Sequence, residues 1–176
     1  PQAGLSLAEL LVAVAIAGIM LSIAAPSMQS LVRQMQLKTA VGDMAGAIDL
    51  TRSQAIMRGR RVYMAPTGSD WAGGWAVFVD ADGDARPGAA DEIINTHGPL
   101  AGGMAISSGF TSPRVPDYIA YNAGGRSCSH ASSMAARWGT LSLSLDGKLR
   151  RIKINMLGRS RTCDPERDAA NCAGPD

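Results

Sequence analysis

The chain has 176 residues, a formal net charge of +2, 46% hydrophobic side chains and only 5% aromatic ones. That length fits one domain, or one domain plus a membrane segment, and so small a net charge says nothing by itself about partners. The three cysteines, Cys128, Cys163 and Cys172, show neither CxxC nor Cys/His zinc spacing.

The first element is "GLSLAELLVAVAIAGIMLSIAAPS", Gly4 to Ser27. Leu5–Ala25 holds 21 residues with one charge, Glu9, and no proline. As a helix it would extend about 31 Å, close to the hydrocarbon thickness of roughly 30 Å. A cleaved signal peptide would leave a shorter apolar run and would tolerate a glutamate poorly, and a plain signal anchor does not account for the charge. A carboxylate at membrane depth costs a few kcal/mol and marks a functional position by default.

Past Pro26, "SMQSLVRQMQLKTAVGDMAGAIDLTRSQAIMRG" places Leu31, Met35, Val41, Met44, Ile48 and Ala55 at mostly helical spacing, with Arg33, Lys38, Asp43, Asp49 and Arg52 between them. This predicts an amphipathic helix with one face for a sheet, stopping at Gly59. From there the pattern turns to short strands near residues 61–65, 75–80, 92–96, 104–107, 118–122, 140–145 and 149–155. "TLSLSLDGKLRRIKIN" is the clearest, with Leu141, Leu143 and Leu145 alternating with serines, Asp146-Gly147 as a two-residue turn, and Ile152 and Ile154 alternating with Arg151 and Lys153. One face should be core and the other wet and basic. The predicted fold class is α+β, a long N-terminal helix packed on an antiparallel sheet.

Local charge is uneven. From Asp146 to Arg161 six bases (Lys148, Arg150, Arg151, Lys153, Arg159, Arg161) face one acid. "DADGDARPGAADE" sets Asp80, Asp82, Asp84 and Asp91 at positions 1, 3, 5 and 12 of a calcium-loop template, but position six is Ala85 and position 12 is not Glu. A turn between two strands is the favoured reading, with calcium as the competitor. Cys163 and Cys172 would close a short loop in an oxidising compartment, with Cys128–Cys163 as the alternative pair. His97 and His130 are isolated, Trp71, Trp75 and Trp138 read as packing residues, and no catalytic constellation stands out. No cofactor or metal is expected, and the chain is read as a non-enzyme.

"G-LSLAEL" resembles the processing signal of type IV pilins and pseudopilins. The resemblance implies cleavage after Gly4 by a membrane prepilin peptidase, methylation of the new amine on Leu5, and a glutamate, Glu9, five residues in. It also implies a helix-kinking proline, Pro26. Leu5 departs from the usual Phe. Residues 1–4 would be a leader remnant, so that Leu5 carries no free ammonium in the uncut chain. Glu9 would meet a neighbouring subunit's N-terminal ammonium and read axial register during assembly.

"RSQAIMRGRRVYM", "DWAGGWAVFVDADGD" and "IKINMLGRSR" together resemble the GspH/FimT/FimU group of minor pilins and pseudopilins, over roughly Gly4 to Arg161. This implies residues 5–26 as a transmembrane and assembly helix, 27–60 as its amphipathic continuation, 61–162 as a β-rich globular domain and 163–176 as a tail. It implies a bacterial inner-membrane protein with a periplasmic globular domain, later part of a pilus or pseudopilus beside other major and minor pilins. "GRSR", Gly158–Arg161, matches a GRxR motif tied to DNA uptake. By that resemblance Arg159 and Arg161, extended by Lys148, Arg151 and Lys153, would grip double-stranded DNA through its phosphates. The alternative is a type II secretion tip subunit that contacts other minor pseudopilins or cargo.

Overall fold

The computed structural model describes residues 6–112 and 117–173, with the side chains of 23–27 left out. Gly4 and Leu5 therefore lie outside the described residues. One long helix, α1 (Leu7–Arg58), is followed by eight strands and a short C-terminal helix: β1 (Val62–Pro66), a 3-10 turn (Trp71–Gly73), β2 (Trp75–Val79), β3 (Glu92–His97), β4 (Ala105–Phe110), β5 (Ile119–Tyr121), β6 (Gly139–Leu145), β7 (Lys148–Ile154), β8 (Ser160–Cys163) and α2 (Ala169–Cys172). The chain divides into two compact units between Met35 and Gln36.

In the first unit, Ser6 and Glu9 cap each other. The Glu9 amide donates to Ser6 Oγ at 3.2 Å, and the Ser6 amide donates to Glu9 Oε2 at 3.4 Å. This is the reciprocal capping box of a Ser-x-x-Glu start, and it also sets a carboxylate at the positive end of the helix dipole. Leu7, Leu10, Leu11, Val12, Val14, Ile16, Ile19, Met20 and Leu21 are all exposed, Leu7 at 78%. Among the described residues no helix is long and apolar enough to cross a membrane. Part of the expected Leu5–Ala25 span falls on the residues left out. So does the expected kink, since α1 continues through Pro26 but its side chain is not described.

In the second unit, the remainder of α1 buries Leu37, Ala40, Val41, Met44, Ala47, Ile48, Thr51 and Ala55. Steps of three and four put them on one stripe. Leu31 and Met35, expected on that stripe, belong instead to the first unit and are exposed. Gly59 ends the helix at φ +62, its amide bonded to Ile56 O.

The strands form two four-stranded antiparallel sheets, β3-β2-β1-β5 and β4-β6-β7-β8. The main core joins the α1 stripe to Val62, Met64, Trp75 and Val77 of the first sheet and to Leu141, Leu143, Leu145, Ile152 and Ile154 of the second. Asp146 (φ +48) and Gly147 (φ +77) join β6 to β7 in the doubly positive geometry that suits a two-residue hairpin. Strands β1, β2 and β5 of the first sheet are buried on both faces, while its edge strand β3 is largely exposed. Tyr63, Ala65, Ala76, Phe78 and Ala120 form a second cluster with Ala85, Tyr118 and Cys128, which is why every residue of β1 and β2 is buried. Arg137, 1% exposed, braces that side: it pairs with Asp117 at 2.5 Å, donates to Tyr118 O, and lies over the Tyr118 and Phe110 rings.

Three further features differ from the sequence expectation. β8 was not foreseen, because four residues without apolar alternation become a strand only by pairing with β7. β4 runs on to Phe110, paired along its whole length with β6. The basic face of β7 is not wet: Lys153 is 1% exposed, because residues beyond β8 fold back over it.

Candidate functional site

Antiparallel register places the basic residues. Arg151 lies opposite Cys163 and Lys153 opposite Arg161, so Arg151, Lys153 and Arg161 share one face. Like charges directly opposite destabilise a ladder, and here the chain supplies the compensation. Arg161 donates to Asn171 O at 2.7 Å, Arg151 to Cys172 O at 3.0 Å and Lys153 to Ala173 O at 3.4 Å. These carbonyls sit at the end of α2, where backbone acceptors lack helical donors.

The segment is held along its length. Asp168 caps α2 by accepting from the Asn171 amide. Lys148 pairs with Glu166 at 3.1 Å, and Arg150 with Asp164 at 2.9 Å. Cys163 and Cys172 are joined in a disulfide, with Cα atoms 5.7 Å apart, while Cys128 stays free and buried. Burial pushes the Cys128 thiol up to about 11, against the pull of Arg61, so it is a poor nucleophile.

The β7–β8 connection is built on Asn155, whose role sequence reasoning missed. Its Oδ1 accepts from the Leu157 and Arg159 amides at 3.0 and 2.9 Å, and the Gly158 amide donates to Asn155 O. The signal in the sequence was an Asn three residues ahead of a Gly. Gly158 adopts φ +79, and a Cβ there would sit 2.5 Å from Gly125 O and 2.8 Å from Tyr121 Cε1. The motif glycine is therefore a close-packing position. Ser160 Oγ donates to Asp49 of α1 at 2.9 Å. Arg159 is exposed beside exposed Met156 and Leu157, with no ion pair among the described residues.

Of the five residues expected to contact DNA, Lys148, Arg151, Lys153 and Arg161 are thus engaged by the chain itself. Lys153 is placed out of reach of any ligand while residues 169–173 cover it. Only Arg159 projects from this edge without such a partner among the described residues.

The acidic loop spends its carboxylates on its own backbone. Asp80 accepts from the Gly83 and Ala85 amides at 2.8 and 3.1 Å, and Asp91 from Ala81 and Gly88 at 2.9 and 2.8 Å. Asp80, Asp82 and Asp84 bring oxygens within 4.8 Å of one another. The Asp84 amide pulls the Asp82 carboxyl down, but desolvation and the Asp84, Asp91 and Asp80 carboxylates together hold it above its usual value. Ala85 takes φ +61 with its methyl buried, so apolar packing occupies the calcium template's glycine position.

His97 stacks on Trp75 with ring centroids 4.1 Å apart and faces Asp43 at 3.4 Å. His130 Nδ1 lies 3.1 Å from Tyr63 Oη. Both histidines are tied into packing at the surface of the two clusters.

A prokaryotic N-terminal methylation motif matches residues 1–25. The solved type IV minor pilin FimU of Pseudomonas aeruginosa is similar at 19% identity and a TM-score of 0.58, over 76% of this chain and 92% of that one. The minor pseudopilin EpsH from the type 2 secretion system of Vibrio cholerae is similar at 15% identity and a TM-score of 0.52, over 74% and 98%. No curated protein matches at the sequence level. These likenesses show the pilin-like α+β fold. The family profile described as Type II transport protein GspH matches residues 40–158, more than half of the chain, and the chain belongs to that family of minor pilins and pseudopilins.

Proposed function

We propose that this chain is a minor subunit of a type IV pilus or type II secretion pseudopilus, with a structural and not a catalytic role. In this reading prepilin peptidase cuts after Gly4, the amine of Leu5 is methylated, and residues 5–26 span the bacterial inner membrane with the β-rich unit in the periplasm. The subunit is then drawn among other major and minor pilins.

The observation that carries the reading is the exposed apolar surface of Leu7–Leu21. Each such side chain gains about 1.5–3 kcal/mol on full burial, so this surface requires lipid or neighbouring helices. Glu9, inside it, is tolerable among packed apolar helices only when compensated, and a neighbour's N-terminal ammonium is the compensation that assembly supplies. The test is in vivo incorporation of the Glu9→Leu chain. Membrane insertion should persist while incorporation falls severalfold, and normal incorporation overturns the assembly role of Glu9.

A second reading, contact with double-stranded DNA, is favoured by Arg159. It projects beside Met156 and Leu157 with no ion pair among the described residues, and sequence-independent phosphate contact needs only such a cation. The competing role, a tip pseudopilin that contacts other pseudopilins or cargo, would use the same exposed edge. Titration of a duplex against the Arg159→Ala chain separates the two, since unchanged binding removes Arg159 from DNA contact.

A further inference from the structure

The two sheets have four edge strands, β3, β5, β4 and β8. An exposed edge is a row of unpaired N–H and C=O groups, which proteins blunt with short strands, charge, bulges or a covering segment. β3 carries Glu92 and His97 and a register shift against β2. β5 has three residues, and the Tyr121–Ser127 bridge and the Cys128 amide lie along its other side. β8 has four residues, with Arg161 tied to Asn171 of the C-terminal segment. β4 has none of these guards. "AISSGF" holds six residues with no charge and no proline, paired with β6 without a slip.

One bond beyond the strand fixes which of its peptide groups are free. The Thr111 amide donates to Trp138 O at 3.0 Å, extending the β4–β6 register. Bonded pairs alternate in an antiparallel ladder, so Ala105, Ser107, Gly109 and Thr111 point their peptide groups at β6. Those of Ile106, Ser108 and Phe110 point away from the sheet, and among the described residues no backbone hydrogen bond meets them. The 3-10 turn Trp71–Gly73 lies close to β4, but its bonds go to Gly74 and Leu100. A cleft of about 310 Å³, floored by Ser107, Thr140 and Ser142 with Cys172 on its border, lies between β4 and the C-terminal helix.

Peptide groups spaced two residues apart along an edge are matched by another strand, and this strand matches itself. With a second β4 antiparallel and Ser108 opposite Ser108, Ile106 falls opposite Phe110 and Ser107 opposite Gly109. The three outward residues of each copy then meet those of the other. No like charges face one another. Ile106 and Phe110, each half-buried against the core, form the β-branched–aromatic pairs that stabilise cross-strand contact. We propose that β4 is a homotypic docking edge, through which two copies of this chain pair about a two-fold axis at Ser108 and join their sheets. Such a contact closes after two copies, so the unguarded edge does not propagate into fibres. It does not depend on the assembly or DNA readings above. The contact is at the small end of specific interfaces, so covalent trapping is the way to read it.

The experiment uses the full chain in a non-ionic detergent, oxidised with copper phenanthroline and read on non-reducing gels. Wild type, whose cysteines are bonded or buried, gives the background. Ser108→Cys should cross-link to itself at least tenfold faster than Ser133→Cys, an exposed position outside the strand. Facing Cα atoms of a bonded pair stand about 5.5 Å apart, within disulfide reach. A mixture of Ser107→Cys and Gly109→Cys chains should cross-link at least fivefold faster than either alone, and a Cβ at Gly109 meets open space. Association through α1 would raise all these rates together, so it cannot imitate the register. Equal rates at Ser108 and Ser133 overturn the docking edge. A mixture no faster than its separate chains overturns the two-fold register. Ser108→Pro removes an outward N–H and no ladder bond. Placed in both mixed chains, it should slow their cross-link at least tenfold with little change in melting temperature. An unchanged rate overturns the edge, and the cysteine pairs decide alone if the proline chain does not fold. Trapping of Ser108→Cys in cells with a protein of another mass, and never with itself, overturns a second copy as the occupant.

Discussion

Replacing Gly158 with alanine separates what the GRSR motif does for folding from what it does for binding. The perturbation has two parts. At φ +79 a residue with a Cβ sits in the left-handed region at roughly 1–2 kcal/mol. The added methyl would also lie 2.5 Å from Gly125 O and 3.0 Å from Ser127 N, backbone atoms that cannot swing aside, and overpacking of that kind costs about 1–3 kcal/mol. Together they come to about 2–5 kcal/mol, or a fall in melting temperature on the order of 10 °C for a chain of this size. Gly147 is the control. Its φ of +77 is nearly the same, but nothing lies within 4 Å of a Cβ there, so Gly147→Ala should show the conformational part alone. The assay is thermal unfolding of the full chain in detergent, followed by fluorescence of buried Trp71 and Trp75. If Gly158→Ala melts no lower than Gly147→Ala, the close-packing argument is wrong and the glycine's place in the motif needs another reason. If it melts as expected, a loss of DNA binding in that variant cannot be credited to a glycine–phosphate contact.

The other expectations are smaller or differently placed. Gly42 is exposed in the interior of α1 with open space around a Cβ, so Gly42→Ala should stabilise the isolated chain by about 1 kcal/mol, and denaturant unfolding that shows no gain refutes this. The Arg58 hydrogen bond, with help from Arg60, holds the exposed Glu92 carboxyl below its usual value. A depressed folded-state value means stability present above the unfolded value and lost as pH falls. The unfolding midpoints of wild type and Glu92→Gln should therefore differ at pH 7 and converge below about pH 4, and a constant gap would argue against the ion pair. Glu9→Gln keeps a side chain able to close the box with Ser6 but removes the charge. It should incorporate as poorly as Glu9→Leu, and normal incorporation would assign Glu9 to capping alone.

What was legible in the sequence was periodicity. β6 and β7 alternate with a period of two, and their turn has the Asp-Gly pair that accepts positive φ at both positions. α1 carries its buried stripe from Leu37 to Ala55 at helical spacing. Contacts made over long sequence distance were not legible. "VYMAP" and "WAVFV" signal strands, but nothing in them says that Tyr118, Cys128 and Ala85 come back to bury their second face. "SRTC" has no apolar alternation and depends on β7 for its pairing. The buried Lys153 meets the carbonyl of Ala173, 20 residues later, a contact no local pattern announces. The Ser-x-x-Glu cap was in plain view but overlapped the processing signal, and one pattern hid the other.

The two units leave opposite kinds of surface unsatisfied, which bears on how a minor subunit finds its place. The first offers exposed leucines, isoleucines and valines, whose burial is favourable but non-directional. Such a surface can supply affinity for a bundle of pilin helices without distinguishing one neighbour from another. In the proposed assembly Glu9 would add register, since an ion pair among apolar helices tolerates little axial error, but every subunit with the same glutamate would offer the same register. Identity must then come from the second unit. There most charge is already spent within the chain: Arg58 and Arg60 on Glu92, Arg137 on Asp117, Lys148 and Arg150 on the tail acids, Arg151, Lys153 and Arg161 on tail carbonyls. A surface so self-paired discriminates through its few exceptions, and the edge at Met156, Leu157 and Arg159 is one of them, apolar and cationic at once.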